Sequence, residues 1–202
     1  NLLNNILDKK EFKPFKGNYF DTKFSTSSPK LYKKNNIFTM SAAFSEKGRN
    51  FAAKNCDSLI TMFSSYNSAK KQTKSIKMNA RKHGNKIKVY GLIHVVCRKT
   101  DDEAIKYYDK YASKMADKLA INNFISILNK GNRNSVLSSL QKSQMKKMAG
   151  GIGSFPVIGC PKSIIEQINK LKLSGLDGIA IGFVNYQDEL PFFIKKVLKN
   201  IH

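Results

Sequence analysis

The chain has 202 residues, of which 41% are hydrophobic and 25% charged, a composition that is typical of a globular domain and excludes intrinsic disorder as the default state. Its formal net charge is +22, yet only four of its 36 basic residues are arginines, so a nucleic-acid groove that depends on guanidinium contacts is disfavoured. No apolar run approaches the roughly 18 residues of a membrane span, and we expect a cytoplasmic protein. The first residue is asparagine and not methionine, so we expect the sequence to be a piece of a longer protein.

Short apolar runs alternate with amphipathic stretches from residue 37 onward, a pattern that predicts parallel strands joined by helices. The predicted elements follow this alternation and lie, in chain order, at residues 37–43 (strand), 46–55 (helix), 58–63 (strand), 68–82 (helix), 87–97 (strand), 100–119 (helix), 161–173 (helix), 178–183 (strand) and 191–201 (helix). Residues 120–150 are rich in Asn, Ser and Lys and are interpreted as an insertion of loosely packed helix and loop. Residues 151–159 are interpreted as a glycine-rich segment that leads into the next helix.

Several of these helix boundaries carry specific signals. Ser45 precedes the first helix as a candidate cap, and Phe51 and Ala52 are expected to face inward from that helix. The run Thr100-Asp101-Asp102-Glu103 is a capping box that opens a later helix. The buried face of that later helix is predicted from apolar residues at helical spacing, namely Ile105, Tyr108, Ala112, Met115 and Leu119. Pro161 lies at a helix start, where its missing N–H costs no hydrogen bond.

The order of the elements gives four strand–helix units, with strands near residues 37–43, 58–62, 87–96 and 178–183. A complete (β/α)8 barrel has eight such units in roughly 250 residues and carries its functional groups at the carboxyl ends of the strands. Four units match half of that architecture. A doubly wound open sheet is the alternative, because alternation alone does not distinguish the two, although no GxGxxG fingerprint follows a predicted strand.

The cysteines and histidines do not form a recognisable site. Cys56, Cys97 and Cys160 are far apart and follow no CxxC spacing, so we expect reduced, structural thiols and no disulfide framework or zinc site. His94 lies inside a predicted strand, where an internally hydrogen-bonded histidine is expected in preference to a catalytic base. We therefore predict no metal site.

One stretch has a more specific pattern than the rest. Residues 40–57, Met-Ser-Ala-Ala-Phe-Ser-Glu-Lys-Gly-Arg-Asn-Phe-Ala-Ala-Lys-Asn-Cys-Asp, resemble the signature of luciferase-like flavin-dependent monooxygenases, in which Ala-Gly-x-Ser-x-x-Gly-x-x-x-Ala-x-x-x-Ala-Asp follows the fifth strand. The chain departs from that signature at Ala43, where glycine is usual, and at Cys56, where alanine is common. Further stretches resemble the same family: residues 12–29, Gly159-Cys160-Pro161, residues 175–178 and residues 189–193. The resemblance is strongest to members that oxidise small organosulfur compounds or open pyrimidine rings.

The resemblance implies a fold, a reaction and partners. The fold is the C-terminal half of a luciferase-like (β/α)8 barrel over residues 1–202, with residues 120–150, including Arg133, as an insertion or lid. The reaction uses reduced FMN and O2 to transfer one oxygen atom to a small organic substrate. A separate NAD(P)H-dependent reductase supplies the reduced flavin, and the full-length enzyme is expected to be a homo-oligomer.

Ser45 is the residue that the resemblance assigns to FMN. A serine that caps a helix at the end of a strand is also well placed to bind a phosphate, because the first N–H groups of the helix and its dipole favour an anion. No catalytic residue is assigned. Because coenzyme F420 also has a phosphate on a ribityl chain, an F420-dependent oxidoreductase of the same barrel superfamily is one alternative. The other is a non-enzymatic basic nucleic-acid-binding module.

Overall fold

A computed structural model describes residues 14–23, 37–130 and 142–201. The chain divides into two units, residues 1–38 and residues 39–202. In the first unit, β1 (Phe15–Lys16) and β2 (Asp21–Thr22) form a small antiparallel hairpin. The candidate lid residue Arg133 lies outside the described residues.

The second unit alternates strands and helices as the sequence predicts. Its elements, in chain order, are β3 (Met40–Ala42), α1 (Glu46–Asn55), β4 (Ser58–Thr61), α2 (Tyr66–Lys82), β5 (Lys88–Cys97), α3 (Asp101–Asp109), a π-helical segment (Lys110–Lys114), α4 (Lys118–Lys130), α5 (Lys142–Gly151), β6 (Phe155–Gly159), α6 (Pro161–Lys172), β7 (Gly178–Gly182), α7 (Tyr186–Lys196) and a 3₁₀ turn (Leu198–Asn200). Within the described residues, no helix is both long and apolar enough to cross a membrane.

Five strands form one parallel sheet, with β5 as its central strand. Residues Lys88–Gly91 of β5 pair with β4, Tyr90–His94 with β7, and Ile93–Cys97 with β6. Since a strand has only two edges, the overlaps of these registers place β7 on one edge and both β4 and β6 on the other. The strand β6 therefore continues the sheet beyond the end of the short strand β4, while β3 pairs with the opposite edge of β4.

The strand β6 corrects the sequence interpretation. That interpretation assigned residues 151–159 to a glycine-rich segment leading to the next helix and predicted four strands. Residues 155–159 instead form a fifth strand. Its signal is weak because Pro156, which cannot donate a ladder hydrogen bond, lies in its second position. Proline is tolerated there because β6 is an edge strand that pairs only with β5 among the described strands.

The described helices α1, α2, α6 and α7 pack on one face of the sheet. Leu59 and Val89 belong to a buried cluster with Ala52 of α1 and Ile76 of α2. Further along β5, alternate residues pack against α6 and α7 in a second cluster, which includes Ile93, Val95, Ile164, Ile168, Leu171, Phe193 and Val197. This face is the principal core of the unit.

The opposite face of the sheet has a different environment. The register aligns Ala42, Ile60, Tyr90 and Gly178 in one row across four strands, and no residue of this row is buried. Sheets made only of parallel strands are usually covered on both faces or closed into a barrel. With helices outside and this row inside, the unit has the geometry of half of a (β/α)8 barrel, as the sequence predicts, and the face that carries this row corresponds to the barrel interior. At the carboxyl end of β5 the same face is covered, since Val96 packs against Ala104 and Tyr108 of α3.

The predicted buried faces of two helices are partly wrong. Phe51 is 61% exposed while Ala52 and Ala53 are buried, because the α1 face toward the sheet is narrower than predicted. The stripe of the α3 helix includes three exposed members, Ile105, Met115 and Leu119. Met115 and Leu119 follow a π-helical segment that begins after Asp109 and changes the helical phase. Ile105 precedes that segment, and its exposure shows that the buried face of α3 is narrower than predicted.

The last helix also begins earlier than predicted. It starts at Tyr186 and contains Pro191 in its interior. Its first turn is closed by Glu189, whose side chain accepts a hydrogen bond from the Asn185 N–H at 3.1 Å. This side-chain bond fixes the start of the helix, and Pro191 therefore does not mark it.

Candidate active site

The carboxyl ends of the parallel strands meet at one edge of the sheet, where the functional groups of barrel proteins are carried. Two serine-capped helices begin there, α1 after β3 and α2 after β4. The end of β5 adds His94 and Arg98, and the turn after β7 leads into α7. We call this edge the carboxyl edge.

At the start of α1, the Ser45 hydroxyl oxygen accepts a hydrogen bond from the Gly48 N–H at 3.1 Å. Ser45 is thus the N-cap of α1, as the sequence predicts. The backbone N–H groups of residues 44–47 have no hydrogen-bond partner among the described residues. Four successive donors at a helix amino end are well suited to an anion.

Gly48 and Arg49 complete this helix start. A Cβ atom on Gly48 would lie 3.0 Å from the Ala43 Cβ and 3.2 Å from the Ser45 Oγ, so a side chain here would crowd the cap. The Arg49 guanidinium donates to the Phe44 carbonyl oxygen at 2.5 Å, which holds a positive charge beside the free N–H groups. Glu46 adds an acidic group in the first turn, but it is exposed.

At the start of α2, the cap is closed by the protein itself. The Ser65 hydroxyl accepts from the Ser68 N–H at 3.1 Å, and the Ser68 hydroxyl accepts from the N–H groups of Ser64 and Ser65 at 3.0 and 3.2 Å. This reciprocal arrangement is a capping box. It satisfies the N–H groups of Ser64 and Ser65, whereas the equivalent N–H groups of Phe44 and Ser45 at α1 have no partner among the described residues.

A buried pair lies at the carboxyl edge beside β7. His94 is 6% exposed, and its Nε2 lies 2.5 Å from the Tyr111 hydroxyl oxygen. Burial lowers the pKa of His94. Burial raises the pKa of Tyr111, and the neighbouring Tyr108 raises it further. Both groups are therefore neutral near pH 7, and one hydrogen bond joins the hydroxyl oxygen to the imidazole nitrogen. His94 thus has the internal partner that the sequence predicts.

Two glycines bring α5 against this pair. A Cβ on Gly150 would lie 2.5 Å from the Tyr108 ring, and one on Gly151 would lie 2.8 Å from the His94 Cγ. Gly150 and Gly151 therefore serve close packing of α5 on the carboxyl edge.

A buried ion pair joins the end of β5 to α7. The Arg98 guanidinium donates to Glu189 at 2.5 Å and lies 3.8 Å above the centre of the Tyr107 ring. Glu189 is 6% exposed and also accepts from the Asn185 N–H. These contacts fix the turn between β7 and α7. They border an open cavity of about 600 Å3, which is lined by Cys97, Arg98, Glu103, Tyr107, Asn185 and Phe192 among others.

Asp57, at the end of the family-like stretch 40–57, and Asp101, in the predicted capping box, have structural roles. The Asp57 carboxylate accepts from the Thr39 N–H and hydroxyl, each at 2.7 Å, which ties the entry of β3 to the start of β4 and lowers the pKa of Asp57. The Asp101 carboxylate accepts from the Cys160 N–H at 2.7 Å and positions the start of α6. All three cysteines are free, and burial raises the pKa of Cys97 to about 11, which is expected of structural thiols.

The sequence analysis singled out Ser45 but did not identify Arg49, Tyr111 or the Arg98–Glu189 pair. Arg49 has a usable signal, since it is one of four arginines and follows Gly48 directly. Tyr111 has no such sequence signal, because its orientation depends on the π-helical segment. The pairing of residues 98 and 189 is a long-range contact that no local pattern predicts.

Comparison with known proteins is consistent with this geometry. A family model described as luciferase-like monooxygenase matches residues 1–178. An FMNH2-dependent dimethylsulfone monooxygenase of Pseudomonas putida is 27% identical over 188 residues, which cover 91% of this chain and 52% of that protein. The chain thus spans about half the length of this curated relative.

Solved structures show the same fold. The crystal structure of DmoA from Hyphomicrobium sulfonivorans matches with a TM-score of 0.71 at 16% identity, over 92% of this chain and 45% of that one. The coenzyme F420-dependent tetrahydromethanopterin reductase of Methanopyrus kandleri matches with a TM-score of 0.67 at 13% identity, over 100% of this chain and 61% of that one. At such identities the likeness concerns the fold alone.

Proposed function

The chain belongs to the luciferase-like monooxygenase family, and from this premise we propose that the protein uses reduced FMN and O2 to add one oxygen atom to a small organic substrate. The relative that is 27% identical is an FMNH2-dependent dimethylsulfone monooxygenase, which favours reduced FMN as the cofactor. Family membership also disfavours the alternative of a non-enzymatic nucleic-acid-binding module. Residues 120–150 are proposed to form an insertion that borders the site.

The observation that carries the proposal for this half of the barrel is the open amino end of α1. The four N–H groups of residues 44–47, which have no partner in the part of the chain that the structure describes, lie at the carboxyl edge with the Ser45 hydroxyl and the Arg49 guanidinium. This set of donors fits a phosphate, and Gly48 leaves room for it because it has no side chain. We assign the phosphate of FMN to this position, with Ser45 as the residue named by the sequence.

The bound reduced flavin would supply the electrons that activate O2. The residues of this chain bind and orient it and line the space in which the reaction occurs. At the other side of the carboxyl edge, the neutral His94–Tyr111 pair holds one proton between the imidazole Nε2 and the phenol oxygen. While it retains this proton the pair carries no net charge, and donation of the proton to the site would leave one negative charge on the pair until solvent replaces the proton. The Arg98–Glu189 ion pair keeps the adjoining turn in place.

The F420-dependent alternative stays open to a direct test, since a structure of that kind shares the fold. The intact protein should retain a flavin spectrum on purification or take up FMN when it is titrated. Supplied with reduced FMN, labelled O2 and dimethyl sulfone as a first substrate, it should release an organic product that contains one labelled oxygen atom. A deazaflavin spectrum without FMN, or a product without label, would contradict the proposal.

We also propose the partners and the compartment. A separate NAD(P)H-dependent reductase supplies the reduced flavin, and the intact enzyme is a homo-oligomer. The three free thiols, of which Cys97 is buried, suit the reducing cytoplasm. Sedimentation of the intact protein, with and without a flavin reductase, tests the oligomer and the reductase contact separately.

A further inference from the structure

A second cavity of about 320 Å3 lies between the π-helical segment, α4 and α5. Its size falls within the roughly 300–1,000 Å3 of small-molecule sites. Apart from Asp117, its described lining residues are uncharged, and the larger ones are Tyr111, Met115, Ile121, Phe124, Met148 and Ile152. The Asp117 carboxylate accepts a hydrogen bond from the Ala120 N–H at 2.9 Å, so it is engaged in capping α4. It would repel an anionic ligand.

Tyr111 connects this cavity with the carboxyl edge. It lines the cavity, and its hydroxyl group contacts the His94 imidazole at 2.5 Å. His94 itself belongs to β5 and lies beside Gly182 at the end of β7. A ligand in the cavity would therefore lie one side chain away from the interior of the barrel. Tyr111 is placed there by a π-helical segment, a distortion that is frequent at functional sites.

Ile152 gives an independent reason to assign a ligand to this cavity. It is the residue after the end of α5, where its N–H donates to the Met148 carbonyl and the Gly153 N–H donates to the Lys147 carbonyl. This is the helix-ending motif that favours glycine, and Ile152 adopts φ +53° there. A β-branched residue is unfavourable in that conformation. Its side chain is nevertheless 69% exposed and lines the cavity, so local stability does not explain it.

We propose that the organic substrate is an uncharged molecule with alkyl groups and that it binds in this cavity, against Ile152 and the cavity side of Tyr111. This inference rests on the proposed function, since it names the substrate class of that enzyme. The apolar lining favours alkyl groups. The absence of any lysine or arginine among the described lining residues, together with the carboxylate of Asp117, disfavours sulfonates and carboxylates.

The test measures binding to the intact protein by calorimetry, without flavin. The probes are a series of methyl ketones, 2-butanone, 2-hexanone and 2-octanone, and the anion octanoate as a probe of equal length. Affinity should rise by up to about fourfold for each methylene group that enters the cavity, and octanoate should bind at least tenfold more weakly than 2-octanone. Equal binding of octanoate and 2-octanone would overturn the assignment of an uncharged substrate.

The variant Ile152→Gly locates the site. It should raise the thermal midpoint by about 2–4 °C, because glycine suits the left-handed conformation. It should also weaken 2-octanone binding by about threefold to tenfold. The control Leu173→Gly removes an apolar side chain that is 80% exposed at the end of α6 and should leave 2-octanone binding unchanged. A higher midpoint with unchanged ketone binding in Ile152→Gly would show that the ligand does not use this cavity.

The two proposals can fail separately. If 2-octanone binding depends on Ile152 but the protein neither binds FMN nor consumes O2, the cavity assignment holds and the proposed function is wrong. If FMN binds and dimethyl sulfone is oxygenated while 2-octanone does not bind, the function holds and the cavity assignment is wrong.

Discussion

The amino ends of α1 and α2 follow neighbouring parallel strands, and each begins with a serine cap. At α2, the Ser68 side chain folds back and satisfies the N–H groups of Ser64 and Ser65. At α1, the same third helical position is Gly48, which has no side chain, and the N–H groups of residues 44–47 have no partner among the described residues.

This difference supports the proposed assignment of a binding role to the amino end of α1 and of a structural role to that of α2. Both serines accept one hydrogen bond from the helix that they begin, so the presence of a capping serine does not by itself indicate function. The N–H groups of residues 46 and 47 in α1 and of residues 66 and 67 in α2 all have no partner among the described residues. What distinguishes α1 is that the N–H groups of residues 44 and 45 also have none there, and that the Arg49 guanidinium lies beside them. The structure thus favours α1, and not α2, as the place where an anionic group binds.

Exchange of the third helical residues should give the largest effect. Gly48→Ser adds a side chain 3.2 Å from the Ser45 Oγ and a hydroxyl that can fold over the free N–H groups. We expect FMN affinity to fall by about thirtyfold to a hundredfold, or ~2–3 kcal/mol. The matched variant Ser68→Gly opens α2 and should leave the FMN dissociation constant unchanged. Fluorescence titration of FMN measures both, and equal losses in the two variants would remove the distinction.

Removal of the charge at α1 should have the next largest effect. Arg49→Ala is expected to weaken FMN binding by about tenfold, or ~1.5 kcal/mol, the lower end of the range for a hydrogen bond to a charged group. It should also reduce the salt dependence of the dissociation constant. Arg49→Lys should recover only part of the loss, because an ammonium group cannot donate in the same fork geometry. Full recovery would show that charge alone matters at this position.

The helix caps themselves should contribute equally to stability. Ser65→Ala and Ser45→Ala each remove one cap hydrogen bond, and each should lower stability by about 1 kcal/mol. Thermal unfolding of the intact protein without FMN compares the two. A clearly larger loss for Ser45→Ala would mean that its main role is in the fold.

The smallest expected effect is on the pH dependence of stability, through the contact between Asp57 and Thr39 at the entry of β3, the strand that precedes α1. The Thr39 N–H and hydroxyl lower the pKa of Asp57 below that of an unfolded aspartate, near 3.9. The folded state therefore binds fewer protons, and this contribution is present above about pH 4 and is lost as pH falls through the lowered value. Since Asp57 is exposed, the effect is small. Between pH 6 and pH 3, the thermal midpoint of Asp57→Asn should fall less steeply than that of the unchanged protein; parallel curves would contradict this role.

The sequence predicted what local patterns determine. The alternation of strands and helices, the α1 boundaries and the Ser45 and Thr100 caps follow from short-range signals, and the structure confirms them. The half-barrel class was implied by the resemblance to the luciferase-like family, since the alternation alone left a doubly wound sheet open, and it is confirmed as well. The strand β6 was missed because Pro156 and flanking glycines obscure a strand that is stabilised by pairing with β5. The predicted inward stripe is confirmed at Tyr108 and Ala112. It was wrong at Met115 and Leu119, which follow the π-helical segment that shifts the phase at Lys110. Contacts such as His94–Tyr111 join distant elements, which a single sequence does not specify.

The most direct test of the account compares Ser45→Ala with Ser65→Ala for FMN binding to the intact protein. The two variants remove the same group from equivalent helix positions, so that loss of a cap is common to both. Ser45→Ala should weaken FMN binding by about 1 to 3 kcal/mol, and Ser65→Ala should leave the dissociation constant unchanged. An unchanged constant in Ser45→Ala, or an equal loss in both variants, would contradict the claim that the open amino end of α1 binds the flavin phosphate.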